Sequence, residues 1–117
     1  MVADRQIAPH EAAVIGWLLD NAAVGDVTAY RIQTVEELRV IKRCDCGCFS
    51  LDFQPNAWGG ARIIADSWVV YSDGQRADLI LWEREGKIVL LEIVDYDPRL
   101  PHRFPEISNL GIPASSC

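Results

Sequence analysis

Two apolar segments joined by a short turn constrain this chain more than any other feature of its sequence. Residues 76–83 and 87–96 are strand-forming, and Arg84, Glu85 and Gly86 between them predict a three-residue hairpin turn. In that register, alternate positions are apolar on both faces of the hairpin. An antiparallel sheet covered by a single helix usually has a polar second face. We therefore expect the second face of this hairpin to be covered as well, by the tail, a curled sheet or a second subunit.

The rest of the pattern predicts an α+β fold. Apolar residues at helical spacing predict one N-terminal helix over residues 9–23. Strand-forming runs separated by turn residues then predict an antiparallel meander of about five strands over residues 39–96, on which the helix packs. Four of the prolines lie in residues 97–117, which we expect to form an irregular tail. A chain of 117 residues has room for one domain, so we interpret residues 1–117 as a single unit.

The charge balance argues against two classes of binding protein. The chain has 17 acidic residues against 11 basic ones, a net charge of -6. Binding to nucleic acid or to an anionic membrane needs clustered cations, so we expect neither partner. The N-terminal residues lack the pattern of a signal peptide, and no segment approaches the roughly 18 apolar residues of a membrane span. We therefore expect a cytoplasmic protein.

Three cysteines within five residues suggest a metal site. Cys44, Cys46 and Cys48 lie at a predicted hairpin tip, where soft thiolate donors are close enough to bind zinc. Three candidate fourth ligands are present: His102, His10 and Cys117. The paired C-x-x-C spacing of common zinc sites is missing. The alternatives are a Cys44–Cys48 disulfide, or free thiols that fit a tight turn. Zinc is the cofactor that this cluster suggests; with either alternative we expect none.

Two carboxylates of the hairpin suggest a second kind of site. In the predicted register Asp78 lies directly across from Glu92, and facing carboxylates repel unless a cation or a proton joins them. The pair resembles the PD-(D/E)-XK core of restriction-endonuclease-like nucleases, which implies a Mg²⁺ site. Ala77 and Val94 stand where that core has its proline and its lysine, so a degenerate nuclease is the form implied.

A structural role is the alternative explanation of the same two carboxylates. A β-hairpin of an acidic protein often contains such a pair, with each carboxylate neutralised by a nearby cation. For Asp78 the candidates are Arg76 and Arg62, and for Glu92 they are Lys87 and an arginine of the tail.

One loop tryptophan is a third candidate. Trp58 lies in the predicted loop at residues 54–60. An exposed tryptophan is a common anchor in binding sites because it contributes much area at a small entropic cost. The alternative is that Trp58 is a lid over the core.

The overall layout resembles small bacterial families known as domains of unknown function. The resemblance rests on the helix, the segment 46–53 with its Cys-Gly-Cys-Phe-Ser-Leu-Asp-Phe sequence, the Asp73-Gly74 turn, and Leu91-Glu92-Ile93 before the Pro-rich ending. It spans residues 10 to 106. These families have no assigned activity, so the resemblance assigns no catalytic residue.

These observations favour a small acidic domain that acts by binding and has no catalytic activity. We expect the partner to be another protein or a second copy of the chain, so a homodimer stays an open alternative. An immunity or antitoxin-like protein fits this description, because an acidic surface can mask the basic site of a toxin. A metal-binding module on Cys44, Cys46 and Cys48 is the second hypothesis. A degenerate nuclease on Asp78 and Glu92 is the third.

Overall fold

One helix and a six-stranded antiparallel sheet form the described part of the chain, which confirms the predicted α+β class. The computed structural model describes residues 2–25, 35–43, 50–57, 59–71, 74–96 and 104–110. The helix α1 spans Pro9–Asn21. The strands are β1 (Val2–Gln6), β2 (Arg39–Arg43), β3 (Leu51–Asp52), β4 (Arg62–Val70), β5 (Arg76–Arg84) and β6 (Lys87–Asp95). In the tail, Ile107–Asn109 form a single 3-10 turn.

The strand order differs from a simple meander. The order is β1-β2-β3-β6-β5-β4, so β2 pairs with β3 and the strands β4, β5 and β6 pair in succession, but β3 does not pair with β4. The chain crosses from β3 to the far edge of the sheet, and β3 pairs with β6. Burial explains why β3 pairs with β6, because β6 is buried at four successive positions and needs a neighbouring strand on both sides. The short, polar β1 was not predicted; it pairs with β2 at the opposite edge.

The N-terminus of α1 is fixed by an ion pair. Pro9 is the first helical residue, and Glu11 in the first turn accepts a hydrogen bond from the backbone N–H of Ala8 at 2.8 Å. Arg5 of β1 binds the same carboxylate with both of its terminal nitrogens, at 2.8 and 2.7 Å. Burial alone would raise the pKa of Glu11, but the hydrogen bonds and the charge of Arg5 outweigh it, so the pKa is lowered.

The C-terminus of α1 lies two residues before the predicted end. The helix stops at Asn21 because the following residues pair with the edge strand β4. The N–H of Val24 donates to the carbonyl of Ile64 at 2.8 Å, and the carbonyl of Ala22 accepts from Asp66 at 3.3 Å. These bonds cover part of an edge that would otherwise be open to pairing with other chains.

The main core lies between α1 and one face of the sheet. The helix contributes Val14, Ile15, Leu18 and Leu19, and the strands β5 and β6 contribute Ala77, Leu79, Leu81, Ile88, Leu91 and Ile93. All of these side chains are buried. The helix therefore covers one of the two apolar faces, as expected.

The turn between β5 and β6 is shorter than predicted. Arg84 pairs with Lys87, which leaves a two-residue turn of Glu85 and Gly86. Both have positive φ, 54° and 79°, which is the condition of a type I′ hairpin turn. A β-bulge follows, because Trp82 pairs with Leu90 while the next residue of β5 pairs with Ile88.

The turn and the bulge correct two face assignments in β6. The predicted three-residue turn puts Ile88 on the face of Trp82, but Ile88 belongs to the main core. The same turn puts Val89 on the face of Leu81, but Val89 is buried with Leu90 in a second, smaller cluster. The extra residue of the bulge is the cause, because one inserted residue reverses the alternation of the side chains.

Two glycine-to-alanine substitutions are expected to have opposite effects on stability. Gly86→Ala places a Cβ on a residue with φ of 79°, so it should lower the free energy of unfolding by about 1 kcal/mol. Gly16→Ala in α1 places its Cβ where nothing lies within 4 Å, and it should raise the free energy of unfolding by about 0.5–1 kcal/mol. Urea denaturation measures both. Effects of the same sign would contradict the turn geometry or the helix placement.

Candidate functional site

The observed register moves the two hairpin carboxylates apart. Asp78 pairs with Val94, and Glu92 pairs with Ile80. The prediction that Asp78 lies directly across from Glu92 is therefore wrong, because the shorter turn and the bulge each shift the pairing by one residue. The two carboxylates share a face as diagonal neighbours, with Cα atoms about 7–8 Å apart.

The face of β4, β5 and β6 that is turned away from α1 has an unusual mixture of residues. This outer face consists of Ile63, Asp66, Trp68 and Val70 of β4, Arg76, Asp78 and Ile80 of β5, Glu92 and Val94 of β6, and Tyr96 after it. Four large apolar residues of this face are substantially exposed: Ile63 at 39%, Val70 at 39%, Val94 at 37% and Tyr96 at 55%. Exposed apolar residues that share one surface are typical of an interaction site.

The charge of the outer face is predominantly negative. Asp66, Asp78 and Glu92 supply three carboxylates, and Arg76 is the guanidinium of this set. Asp66 and Glu92 lie in one row across the sheet, on either side of Ile80. Two strand spacings separate their Cα atoms, a distance of about 10 Å. Carboxylates spread in this way present a broad negative surface around apolar side chains.

A loop covers the end of this side of the sheet that is nearest to the β5–β6 turn. Ala57 is buried against Val89 and Leu90, and Trp82 packs against the same small cluster. Arg84 holds the loop by donating hydrogen bonds to three of its carbonyls: Asn56 at 2.6 Å, Gly59 at 2.8 Å and Pro55 at 3.1 Å. This cover was not among those expected for the second face, and it leaves the exposed residues of the outer face accessible.

Two aromatic rings and a carboxylate surround Arg76. Its guanidinium carbon lies 5.5 Å from the ring centroid of Trp68 and 5.5 Å from that of Tyr96. Trp68 lies in β4, Arg76 in the adjacent strand β5, and Tyr96 directly after β6 on the other side of β5. Arg76 is therefore flanked by one ring on each side. Its Nη2 is 3.5 Å from Asp78 Oδ1, at the outer limit of a hydrogen bond. We call Trp68, Tyr96 and Asp78 the clamp around Arg76.

The clamp is held together by a second contact of Asp78. The hydroxyl of Tyr96 donates a hydrogen bond to Asp78 Oδ2 at 2.5 Å. This hydrogen bond is the main reason that the pKa of Tyr96 is raised above its ordinary value of 10.0, because ionisation would remove the donated proton beside a negative charge. The hydrogen bond thus fixes one ring of the clamp.

Glu92 is bound by Trp82, which lies next to the outer face at the end of the sheet that the loop covers. The indole N–H of Trp82 donates to Glu92 Oε1 at 3.2 Å. Arg62, one of the cations expected to neutralise Asp78, instead pairs with the buried carboxylate of Glu83. Arg76 is the cation beside Asp78, as the structural alternative predicted.

Most of the other predicted site residues lie outside the described residues. This applies to Cys44, Cys46 and Cys48, to the candidate ligands His102 and Cys117, and to Trp58. The zinc hypothesis and the role of Trp58 therefore stay predictions. His10 is described, and its ring packs edge-on against Phe104 with the centroids 5.1 Å apart.

The outer face includes functional candidates that sequence reasoning missed. Trp68, Arg76 and Tyr96 were assigned to strands, but not to a common site. Alternation along each strand puts Trp68 two positions from Asp66, and Arg76 two positions from Asp78. That signal shows which residues of one strand share a face. Finding the clamp also required the pairing between strands.

Two open clefts beside α1 are alternatives to the outer face as the functional site. One, of about 440 Å³, lies between the helix and residues 35–36, and it includes Ala12, Ala13 and Gly16. The other, of about 450 Å³, lies between His10 and residues 104–107. Both have small or apolar helix residues on one wall. Binding sites for small molecules usually combine an apolar cleft with several convergent polar groups, and the outer face has the richer set of such groups.

The comparisons with known proteins found no match to a family model, a curated protein or a solved structure. The resemblances drawn from the sequence therefore stay predictions. Among the residues that the structure describes, no three His, Cys, Asp or Glu side chains group closely enough to hold a metal ion. In the part of the chain that the structure describes, no helix combines the length and the apolar character that crossing a membrane requires.

Removing the charge of Asp78 is expected to lower the pKa of Tyr96. In Asp78→Asn the hydroxyl no longer faces a carboxylate, so its pKa should fall back towards 10.0. Asp66→Asn is the matched control, since it removes an equal charge from the outer face without touching the hydroxyl. Titration of the Tyr96 ring by NMR measures both variants. An unchanged pKa in Asp78→Asn, or an equal fall in both, would contradict the clamp geometry.

Proposed function

We propose that the protein is a binding module for a basic protein partner, which docks on the outer face. The observation that carries the proposal is the coincidence of exposed apolar residues with three carboxylates on one surface. Of the exposed large apolar side chains in the described residues, Val24 and Ile107 lie elsewhere, while Ile63, Val70, Val94 and Tyr96 share the outer face. Burying these four would supply hydrophobic free energy, and the carboxylates would select the partner.

Charge supports a partner over a second copy of the chain. The whole protein has a net charge of -6, and the outer face itself has three carboxylates against Arg76. A symmetric homodimer through this face would bring two such surfaces together, and like charges at an interface are costly. A partner with arginine or lysine side chains would complement both the carboxylates and the aromatic rings.

An immunity or antitoxin-like role fits this arrangement. In such a role an acidic surface covers a basic, nucleic-acid-binding or catalytic region of a toxin, and the covering protein needs no catalytic group of its own. The fixed sheet supports this role, because a surface built on paired strands is already ordered before binding. Zinc binding by Cys44, Cys46 and Cys48 stays a prediction, because these residues lie outside the described part of the chain. A nuclease on Asp78 and Glu92 is less well supported, because the two carboxylates are diagonal neighbours and do not face each other directly.

A charge reversal on the outer face is expected to weaken partner binding. Asp66 is exposed on this face, and Glu36 is exposed in the turn before β2. Asp66→Arg and Glu36→Arg change the net charge equally, so Glu36→Arg is the matched control. The immobilised wild-type protein captures its partner from source cells, and the purified partner is then titrated against all three proteins. We expect Asp66→Arg to raise the Kd about tenfold or more and Glu36→Arg to change it about twofold or less.

The same titration shows which alternative holds. Binding that weakens as salt rises supports a basic partner. Equal effects of the two reversals, or an acidic partner, would overturn the proposal. A wild-type protein that sediments as a dimer, and as a monomer in Asp66→Arg, would replace the basic partner with a second copy of the chain.

A further inference from the structure

The structure assigns a second role to the clamp: it is an arginine-recognition site that Arg76 occupies in the free protein and that an arginine of the partner takes over on binding. This inference deepens the proposed function and rests on it, because it names the chemical group of the partner that the outer face reads.

The chemistry of the clamp matches a guanidinium ion. Trp68 and Tyr96 present two ring faces at equal distance from the guanidinium carbon, 5.5 Å in both cases. A guanidinium is planar and weakly hydrated, so it stacks on aromatic rings better than an ammonium ion does. Asp78 adds the carboxylate that neutralises the charge. Arginine is therefore favoured over lysine as the occupant.

The present occupant is weakly held. The contact between Arg76 and Asp78 is 3.5 Å long, and about half of the Arg76 side chain is exposed to water. Cation–π contacts at an exposed site are weak, and they strengthen when the site is desolvated. An exposed side chain changes rotamer within nanoseconds. Arg76 can therefore leave the clamp at a small cost.

An arginine of the partner would make stronger contacts with the clamp than Arg76 does. When a partner covers the outer face, water is excluded from the rings of Trp68 and Tyr96, so the same two contacts become stronger. The hydrogen bond between Tyr96 and Asp78 keeps the second ring in place when Arg76 departs. The displaced Arg76 side chain reaches water without breaking a buried contact, since it is exposed already.

Emptying the clamp tests this inference without a partner. In Arg76→Ala the two rings and Asp78 remain, so an added guanidinium compound should bind. The probe is N-acetyl-arginine amide, titrated while the indole N–H signal of Trp68 is followed by NMR. N-acetyl-lysine amide and the uncharged N-acetyl-citrulline amide are the ligand controls. We expect Arg76→Ala to bind the arginine probe about tenfold more tightly than the wild type does, the lysine probe more weakly, and the citrulline probe not measurably.

Matched variants separate the clamp from general charge effects. Arg39→Ala removes another exposed arginine, which pairs with Asp4. Both residues lie at the opposite end of the sheet from the clamp, so the Arg39→Ala variant should bind the probe no better than the wild type. Adding Tyr96→Ala to Arg76→Ala should weaken probe binding about tenfold. Arg76→Gln is a second way to empty the clamp if Arg76→Ala folds poorly, and it should behave like Arg76→Ala.

The outcomes distinguish this inference from the proposed function. Equal binding of the arginine probe to the wild type, Arg39→Ala and Arg76→Ala would overturn the clamp, even if Asp66→Arg still weakens partner binding. Equal binding of the arginine and citrulline probes would overturn the inference as well, because the site would then not distinguish a charged ligand from an uncharged one. Probe binding that follows the expected order, with a partner that ignores Asp66→Arg, would support the clamp's chemistry and overturn the docking proposal on which its role rests.

Discussion

The two-residue turn at Glu85 and Gly86, with the bulge that follows it, is the constraint on which the rest of the sheet depends. Together they set the pairing of β5 with β6, and this pairing decides which side chains face the helix. One residue more in the turn would move Asp78 to a different neighbour. The composition of the core, the composition of the outer face and the position of the clamp all follow from this register.

The two apolar faces of β6 are covered in different ways. On one side α1 packs along the sheet, fixed at its start by the Arg5–Glu11 pair. On the other, the loop held by Arg84 covers the end near the turn. The rest of that side carries aromatic residues and carboxylates, a combination that tolerates water and also suits contact with a cationic protein. The face that packs against α1 thus forms the core, and the opposite face is the one that we propose binds a partner.

The sequence predicted the elements better than their pairing. Helical spacing, turn glycines and strand-forming runs placed α1, β5 and β6 close to their observed positions and predicted about five strands over residues 39–96, because these signals are local. The strand β1 was missed because its five residues are largely polar, and the crossover from β3 was missed because strand order depends on contacts between distant residues. The same limit hid the clamp. Asp78 and Glu92 were predicted as a facing pair, whereas the roles of Trp68, Arg76 and Tyr96 depend on the register that the shorter turn and the bulge set.

The central claim is that a partner covers the outer face, and hydroxyl-radical footprinting of the free protein and of its purified complex tests this claim most directly. Tyr96 and Trp68 report on the outer face, and Trp17 on the helix reports on the opposite side. The account predicts that complex formation lowers the oxidation of Tyr96 and Trp68 and leaves that of Trp17 unchanged. Protection of Trp17 together with unchanged oxidation of Tyr96 would place the partner on the helix side and contradict the account.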